Sequence, residues 1–294
     1  MECRASIVIP AHNEEHRIRS LLQSLSEASL SEQYAVFVIC NGCTDRTREV
    51  AEEFHGMRVV EIEDIGKHFA LNEGDRLAGD IFPRLYCDAD IRMDPTSFTR
   101  LVDQLTSDQT IAAGPTVRYG VERCSWGIKK YYQALEIPIM TKWLELHLVG
   151  RGVYGASREA RKRFDEFPPL FADDKFFDSQ YNETEKVVVP GALATIWTPA
   201  TIRALIRNET RVAKGNRQLA AYLKDEQSIN DVDTTTAAHV PRGPLKKLET
   251  LRQWSRDIRL SDCVPLTIYL SVTGMTRLYL ASLRIRQRQV SWRS

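Results

Sequence analysis

Four polar clusters in this chain carry side chains able to do chemistry, and each follows directly on a short apolar run. They are His12-Asn13-Glu14, Asn41 to Asp45, Asp64 to Lys67 and Asp88-Ala89-Asp90. In the last, two carboxylates flank one small residue. One can accept hydrogen bonds from a ribose while the other holds a divalent ion against a diphosphate, because Mg²⁺ and Mn²⁺ take oxygen ligands and often few protein carboxylates. A polar turn ahead of a helix cap at Asp94 would use the same residues, and Asp-Ala-Asp alone decides nothing. A second acidic pair, Asp173-Asp174, follows the Pro168-Pro169 turn. Like charge and partial burial would raise the pKa of one member, which could then accept a proton from an attacking hydroxyl. Ordinary helix N-terminal capping is the competing reading, and spacing does not choose between them.

The elements that must position these residues alternate. Ala5 to Pro10 is a short β run, and Glu14 to Ser29 places Ile18, Leu21, Leu22 and Leu25 on one helical stripe. Tyr34 to Cys40 reads as a strand covered on both faces. A helix with Val50, Ala51 and Phe54 follows, then a strand over Met57 to Ile62, a helix over Lys67 to Ala78, and a short strand at Arg84 to Cys87. Asp94-Pro95 predicts a capped helix to about Leu105, and Ile111 to Ala113 a fifth strand. Four β-α alternations predict an α/β fold with a largely parallel, doubly wound sheet flanked by helices. Right-handed crossovers put the strand C-termini on one edge, where such sheets bind ligands. Beyond it, residues 126–148 read as helix interrupted by Pro138, 187–189 and 194–197 as short strands, and 199–223 as helix with a break near Gly215.

Other signals are set aside. Gly150 to Gly155 fits GxGxxG literally but follows a helical stretch and lacks the βαβ context of a dinucleotide site. Cys40 and Cys43 form a CxxC with no second pair, and Cys40 ends an apolar strand, so they read as structural thiols. His12 and His16 do not make HExxH, and there is no Walker A sequence. The net charge of +1 over 294 residues excludes a strongly basic nucleic-acid binder, and no nucleic-acid partner is expected.

Taken together, the motifs are similar to those of the inverting family 2 glycosyltransferases of GT-A fold, in the non-processive bacterial form. Ile7 to Glu15 resembles the opening strand and Asn-Glu signature, Val38 to Thr47 the second nucleotide-binding segment, and Gly66 to Gly74 the GK…ALN.G segment. Asp88-Ala89-Asp90 resembles the DXD element, and Phe171 to Asp174 the element whose Asp is the base. The resemblance implies a GT-A domain over 1–240, with a nucleotide half to about 115 and an acceptor half beyond it. It implies nucleotide contacts from Pro10, His12, Glu14, Asn41, Lys67, Asp88 and Ala89, a metal ligand at Asp90, and a base at Asp174 with Asp173 beside it. Arg211 resembles a residue of a basic segment near the leaving diphosphate, and His239 a late metal-ligating His. The implied cofactor is Mn²⁺ or Mg²⁺. The implied reaction is inverting transfer from a nucleoside-diphosphate sugar to a hydroxyl acceptor, a saccharide or lipid-linked saccharide among the candidates. Asn41 stands where many members have Asp, so the nucleotide base stays open. A silent nucleotide-sugar or membrane-surface binder is the alternative, and a sugar nucleotidyltransferase is disfavoured because Ala11 to Glu15 has no Gly and two acids.

The C-terminal 241–294 reads as a basic, partly apolar helical extension. Residues 242–294 hold eleven bases against three acids, a net +8, which leaves −7 for the first 241. Such a tail, with Arg284, Arg286, Arg288 and Arg293, suits an anionic membrane surface or a solvated helix face. The apolar stretch from Val264 to Leu283 contains Arg277, so it is expected to pack or lie at a surface rather than span. The opening residues do not read as a signal peptide, and six scattered Cys suggest reduced thiols. A cytoplasmic protein, peripheral at the inner face of the cell membrane, is the expectation.

Overall fold

A computed structural model describes residues 3–27, 33–107, 110–229 and 259–291. The chain divides into two compact units, one built from Met1–Gly120 and Leu144–Trp197, the other from Val121–Trp143 and Thr198–Ser294.

The first unit holds one eight-stranded sheet in the order β3-β2-β1-β4-β7-β6-β8-β5. Strand β1 (Ala5–Ala11) is buried along its whole length, as its mostly apolar run requires, and the one polar side chain in it, Ser6, donates to the Ile81 carbonyl at 2.8 Å. It pairs in parallel with β2 (Tyr34–Asn41) on one side and β4 (Arg84–Cys87) on the other, and β2 pairs in parallel with β3 (Met57–Ile62). Strand β3 is one edge of the sheet, with Arg58 and Glu61 exposed and its other residues partly buried. Helix α1 (Ile18–Glu27) buries Ile18, Leu21, Leu22 and Leu25 completely. Each of these apolar side chains contributes about 1.5–3 kcal/mol of transfer free energy. Helix α2 (Thr47–Glu52) follows β2, and α3 (Lys67–Ala78) follows β3. At Gly74 of α3 the helix comes so close to the sheet that an added Cβ would lie 2.2 Å from Val8 Cγ1. Strand β5 (Ile91–Met93) leads into α4 (Pro95–Thr106), where Asp94 caps through the Ser97 N–H at 3.0 Å and Pro95 opens the helix, as predicted.

The second half of the sheet departs from the sequence expectation. Strand β6 spans Ala112–Gly120 instead of stopping at 113, and the two short strands expected around 187 and 194 are one, β8 (Lys186–Trp197). The two run parallel, with a register shift between Pro115 and Thr116. Pro115 has no N–H for the ladder and Gly191 has φ +79°, so the bulge absorbs the residues that broke the local pattern. Strand β7 (Val153–Ala156) is antiparallel to both β4 and β6, which makes the sheet mixed.

In the second unit, α5 (Trp126–Leu135) is followed by α6 (Pro138–Glu145), the boundary expected at Pro138. Two short helices of the first unit come next, α7 (Arg158–Arg161) and α8 (Asp173–Ser179). Helix α9 (Ile202–Ile229) runs through Gly215 without the expected break. Helix α10 (Cys263–Ser291) packs on α5 and α9, with the Tyr131 and Tyr269 rings 5.2 Å apart. Among the described residues no helix is long and apolar enough to cross a membrane.

Candidate active site

The C-terminal ends of β1, β2 and β4, together with the start of α3, bring the polar clusters to one edge of the parallel half-sheet. Pro10 is buried within β1 opposite Ile39. Asn41, the last residue of β2 and only 3% exposed, ties three elements. With its amide assigned so that the nitrogen faces the acceptor and the oxygen the donor, Asn41 donates to the Ala11 carbonyl at 2.8 Å and accepts from the Gly66 N–H at 3.2 Å. His12 donates from Nδ1 to the Asn41 carbonyl at 2.7 Å. Glu14 is fixed through its N–H, which donates to Thr47 Oγ1 at 2.7 Å. Burial first, then the charge of Asp90, pushes the Glu14 carboxyl up to about 7 against the opposing pull of Arg17.

Lys67, the first residue of α3, bridges two carboxylates that are 85 positions apart in sequence. Its Nζ is 2.6 Å from Asp88 Oδ1 and 2.7 Å from Asp173 Oδ2. Burial opposes its charge, but the two aspartates outweigh that and hold the ammonium well above the ordinary lysine range. Desolvation raises the Asp88 carboxyl, with Lys67 working against the rise. Asp173 also accepts from the Tyr154 hydroxyl at 2.8 Å.

Asp174 has no ion pair among the described residues. Its Oδ2 accepts from the Gly150 N–H at 2.6 Å and its Oδ1 from the Lys175 N–H at 2.7 Å. Burial, followed by the neighbouring Asp173 charge, lifts it from 3.8 to about 6, while Gly150 and Lys67 pull it down. The adjacent aspartates are therefore distinct groups. Asp173 is locked in a charge bridge, whereas Asp174 is a carboxylate near the pKa that suits a general base at neutral pH.

Asp90 lies on the same edge, 37% exposed, with the Arg17 guanidinium 3.5 Å from its Oδ2. Ala89 between the two aspartates is buried. For a divalent cation, the donors present are hard carboxylate oxygens. Among the described residues no group of three or more His, Cys, Asp or Glu is arranged to hold an ion unaided. Mg²⁺ takes one or two carboxylates and completes its shell with phosphate and water, so the residues fit a cation shared with a diphosphate and do not fit a structural cage. Arg211 is an exposed residue of α9 in the second unit. His239 lies outside the described residues.

Sequence reasoning missed Arg17, Tyr154 and the Gly150 amide. Arg17 was detectable as the i+3 partner of Glu14, 3.9 Å away. Tyr154 and Gly150 sit inside the glycine-rich segment set aside above, and nothing local marks them. The six cysteines are free, and burial, with Cys43 beside it, pushes the Cys40 thiol up to about 12, in keeping with a structural thiol.

A half-parallel sheet with acidic groups gathered at its strand ends is the GT-A architecture of glycosyltransferases. The chain belongs to glycosyl transferase family 2, whose model matches residues 6–162. An undecaprenyl-phosphate 4-deoxy-4-formamido-L-arabinose transferase of Edwardsiella ictaluri is 32% identical over 122 residues, 38% of this chain and 36% of the relative. The protein of the same description from Klebsiella pneumoniae is 24% identical over 69% of this chain and 70% of its own length. Two solved structures share the fold. A mannosyltransferase of Pyrobaculum calidifontis, in complex with GDP-Man and Mn²⁺, has a TM-score of 0.57 at 16% identity, covering 99% of this chain and 81% of that one. Glucosyl-3-phosphoglycerate synthase of Mycobacterium tuberculosis, with Mn²⁺ and UDP-Glc, has a TM-score of 0.51 at 21% identity, covering 79% and 80%.

Proposed function

We propose that this glycosyltransferase moves a sugar from a nucleoside-diphosphate sugar to a hydroxyl acceptor in one displacement, with inversion at the anomeric carbon. The observation that carries the reading is the split between the adjacent aspartates, Asp173 bridged to Lys67 and Asp174 lifted to about 6 with only N–H donors on its oxygens. Asp174 takes the acceptor proton as the acceptor oxygen bonds to the anomeric carbon and the bond to the diphosphate oxygen breaks. Asp88, oriented by Lys67, faces the ribose or donor sugar, and Pro10, His12, Glu14 and Asn41 border the nucleoside. Asp90 would hold a divalent cation, which would supply Lewis-acid neutralisation of charge on the leaving diphosphate. The structural neighbours named with nucleotide sugars and Mn²⁺ support both the donor class and the cation.

The test is single-turnover transfer with saturating donor and Mn²⁺. Asp174→Asn should lower the rate by about 10²–10⁴, the scale of general acid–base catalysis, with donor affinity within a few-fold. Asp173→Asn should cost less. A collapse in Asp173→Asn alone moves the base to Asp173, and little loss in either removes the pair from the mechanism.

The curated relatives are named for transfer to undecaprenyl phosphate, which favours a second reading in which the nucleophile is a phosphate oxygen. A phosphate monoester is largely dianionic at neutral pH and needs no base. Asp174→Asn at wild-type rate with a polyprenyl phosphate, but inactive with a sugar hydroxyl, would select it. A lipid acceptor also agrees with work at a membrane surface through the basic extension. Its Arg284, Arg286 and Arg288 fall on the last turns of α10.

A further inference from the structure

The three residues Gly150-Arg151-Gly152 join the two carboxylate segments of the site. Upstream, the Gly150 N–H donates to Asp174 at 2.6 Å; downstream, the Gly152 carbonyl accepts from the Asp88 N–H at 2.8 Å. Both glycines are left-handed, at φ +67° and +68°. A Cβ at Gly152 would lie 2.5 Å from Ile91 Cγ2, so no other residue fits there without displacement. Arg151 between them is 5% exposed. It donates from Nε to the His147 carbonyl at 2.8 Å, from one terminal nitrogen to the Pro115 carbonyl at 2.7 Å, and from the other to the Leu144 carbonyl.

We propose that Arg151 is a positioning residue for the transfer reaction: spread over three backbone carbonyls, it holds residues 150–152 so that Gly150 reaches Asp174 while Gly152 holds Asp88. A guanidinium buried this far with no carboxylate within ion-pair distance among the described residues is costly. Burial pushes it down to about 10, still charged at neutral pH. Capping the end of α6 would need only the Leu144 and His147 carbonyls. The third bond, to Pro115 at the β6 bulge, ties the segment to a different element. The upstream end has its own anchor. Asp178, one turn after Asp174 on α8, accepts from the Leu148 N–H at 2.7 Å and pairs with Lys186 Nζ at 2.7 Å. Arg151 fixes the downstream end, and Gly150 lies between the two grips.

The inference rests on Asp174 being the base. The groups facing Asp174 are Asp173 beside it, Lys67 from α3, Asp88 from the end of β4, and the Gly150 N–H. Losing the Gly150 hydrogen bond removes one of the two pulls that hold its pKa down, so Asp174 titrates at higher pH.

The experiment uses the full chain with Mn²⁺ and hydrolysis of UDP-glucose or GDP-mannose, whichever the wild type turns over. Arg151→Met should slow hydrolysis about 10²-fold and Arg151→Lys about 10-fold, with UDP or GDP affinity within about threefold of wild type. In both, the acid limb of the rate should move up by about half a pH unit. The Gly150 amide should exchange its hydrogen faster than in wild type. Folded variants with wild-type rate and acid limb overturn the inference, and so does an equal loss of rate and nucleotide affinity. If Arg151→Met does not fold, Arg151→Lys and Gly150 exchange decide, and unchanged exchange in Arg151→Lys is refuting. Asp174→Asn run in parallel separates the two readings. An active Asp174→Asn sinks the base assignment, whereas an inactive one beside unshifted Arg151 variants sinks only the role of Arg151.

Discussion

Asp174→Asn should make the protein more stable at neutral pH while removing its activity. A carboxyl lifted from 3.8 in the unfolded chain to about 6 in the fold is one whose charge the fold disfavours. The lift of about two pKa units corresponds to about 3 kcal/mol at pH 7.5. Asparagine can still accept from the Gly150 N–H but not from the Lys175 N–H with a second anionic oxygen, a loss of about 1 kcal/mol. The net gain is about 2 kcal/mol. The sign follows from proton binding. Between pH about 6 and 4 the folded wild type binds the proton better than the unfolded chain, so its penalty fades as the pH falls. Below about 4 both states are protonated and the advantage of the variant is gone. Urea unfolding of both proteins from pH 5 to 8 measures this directly. A variant equal to or weaker than wild type at pH 7.5, or a difference that does not grow with pH, would refute the claim that burial raises Asp174.

Other outcomes follow from the same geometry. Asp90→Ala should abolish Mn²⁺- or Mg²⁺-supported turnover with little change in melting temperature, and full activity in this variant, or wild-type activity in excess chelator, would exclude the cation. Gly74→Ala should destabilise by about 1–3 kcal/mol, because a Cβ 2.2 Å from Val8 Cγ1 forces the helix off the sheet; an unchanged unfolding midpoint would contradict that close approach. Replacing Arg284, Arg286 and Arg288 with Gln should weaken sedimentation with anionic vesicles and leave donor binding intact. If the wild type ignores such vesicles at low salt, the basic extension has no membrane role. The acid limb of wild-type transfer to a hydroxyl acceptor should have an apparent pKa near 6, set by Asp174; a rate flat down to pH 5 would count against Asp174 as the base.

The parallel half of the fold was readable because its signals are local. Continuous apolar runs at β1 and β2 and the stripe of Ile18, Leu21, Leu22 and Leu25 state their burial in the sequence itself. The β6–β8 pair was not readable in the same way. Pro115 and Gly191 interrupt both strands, and what restores them is a register shift between segments about 70 residues apart. The candidate site divides along the same line. Its carboxylates were visible as motifs after strands, but the roles of Asp173 and Asp174 were not separable, since side by side they are chemically identical. Lys67 and Tyr154 on one and the Gly150 amide on the other make them different. Those partners come from two distant parts of the chain, the start of α3 and the segment from Gly150 to Tyr154.

The amide at Asn41 has a consequence for how the edge behaves across pH. An aspartate there would have to keep a proton in order to donate to the Ala11 carbonyl, and would lose the joint on ionising. The amide donates to that carbonyl and accepts from the Gly66 N–H with no titration at all. The hinge of β1, β2 and α3 is thus insulated from acidity over the same interval in which Asp174 changes charge. A change in rate near pH 6 therefore reports a carboxyl of the site, Asp174 lifted to about 6 or Glu14 lifted to about 7, and not a loosening of the Asn41 joint.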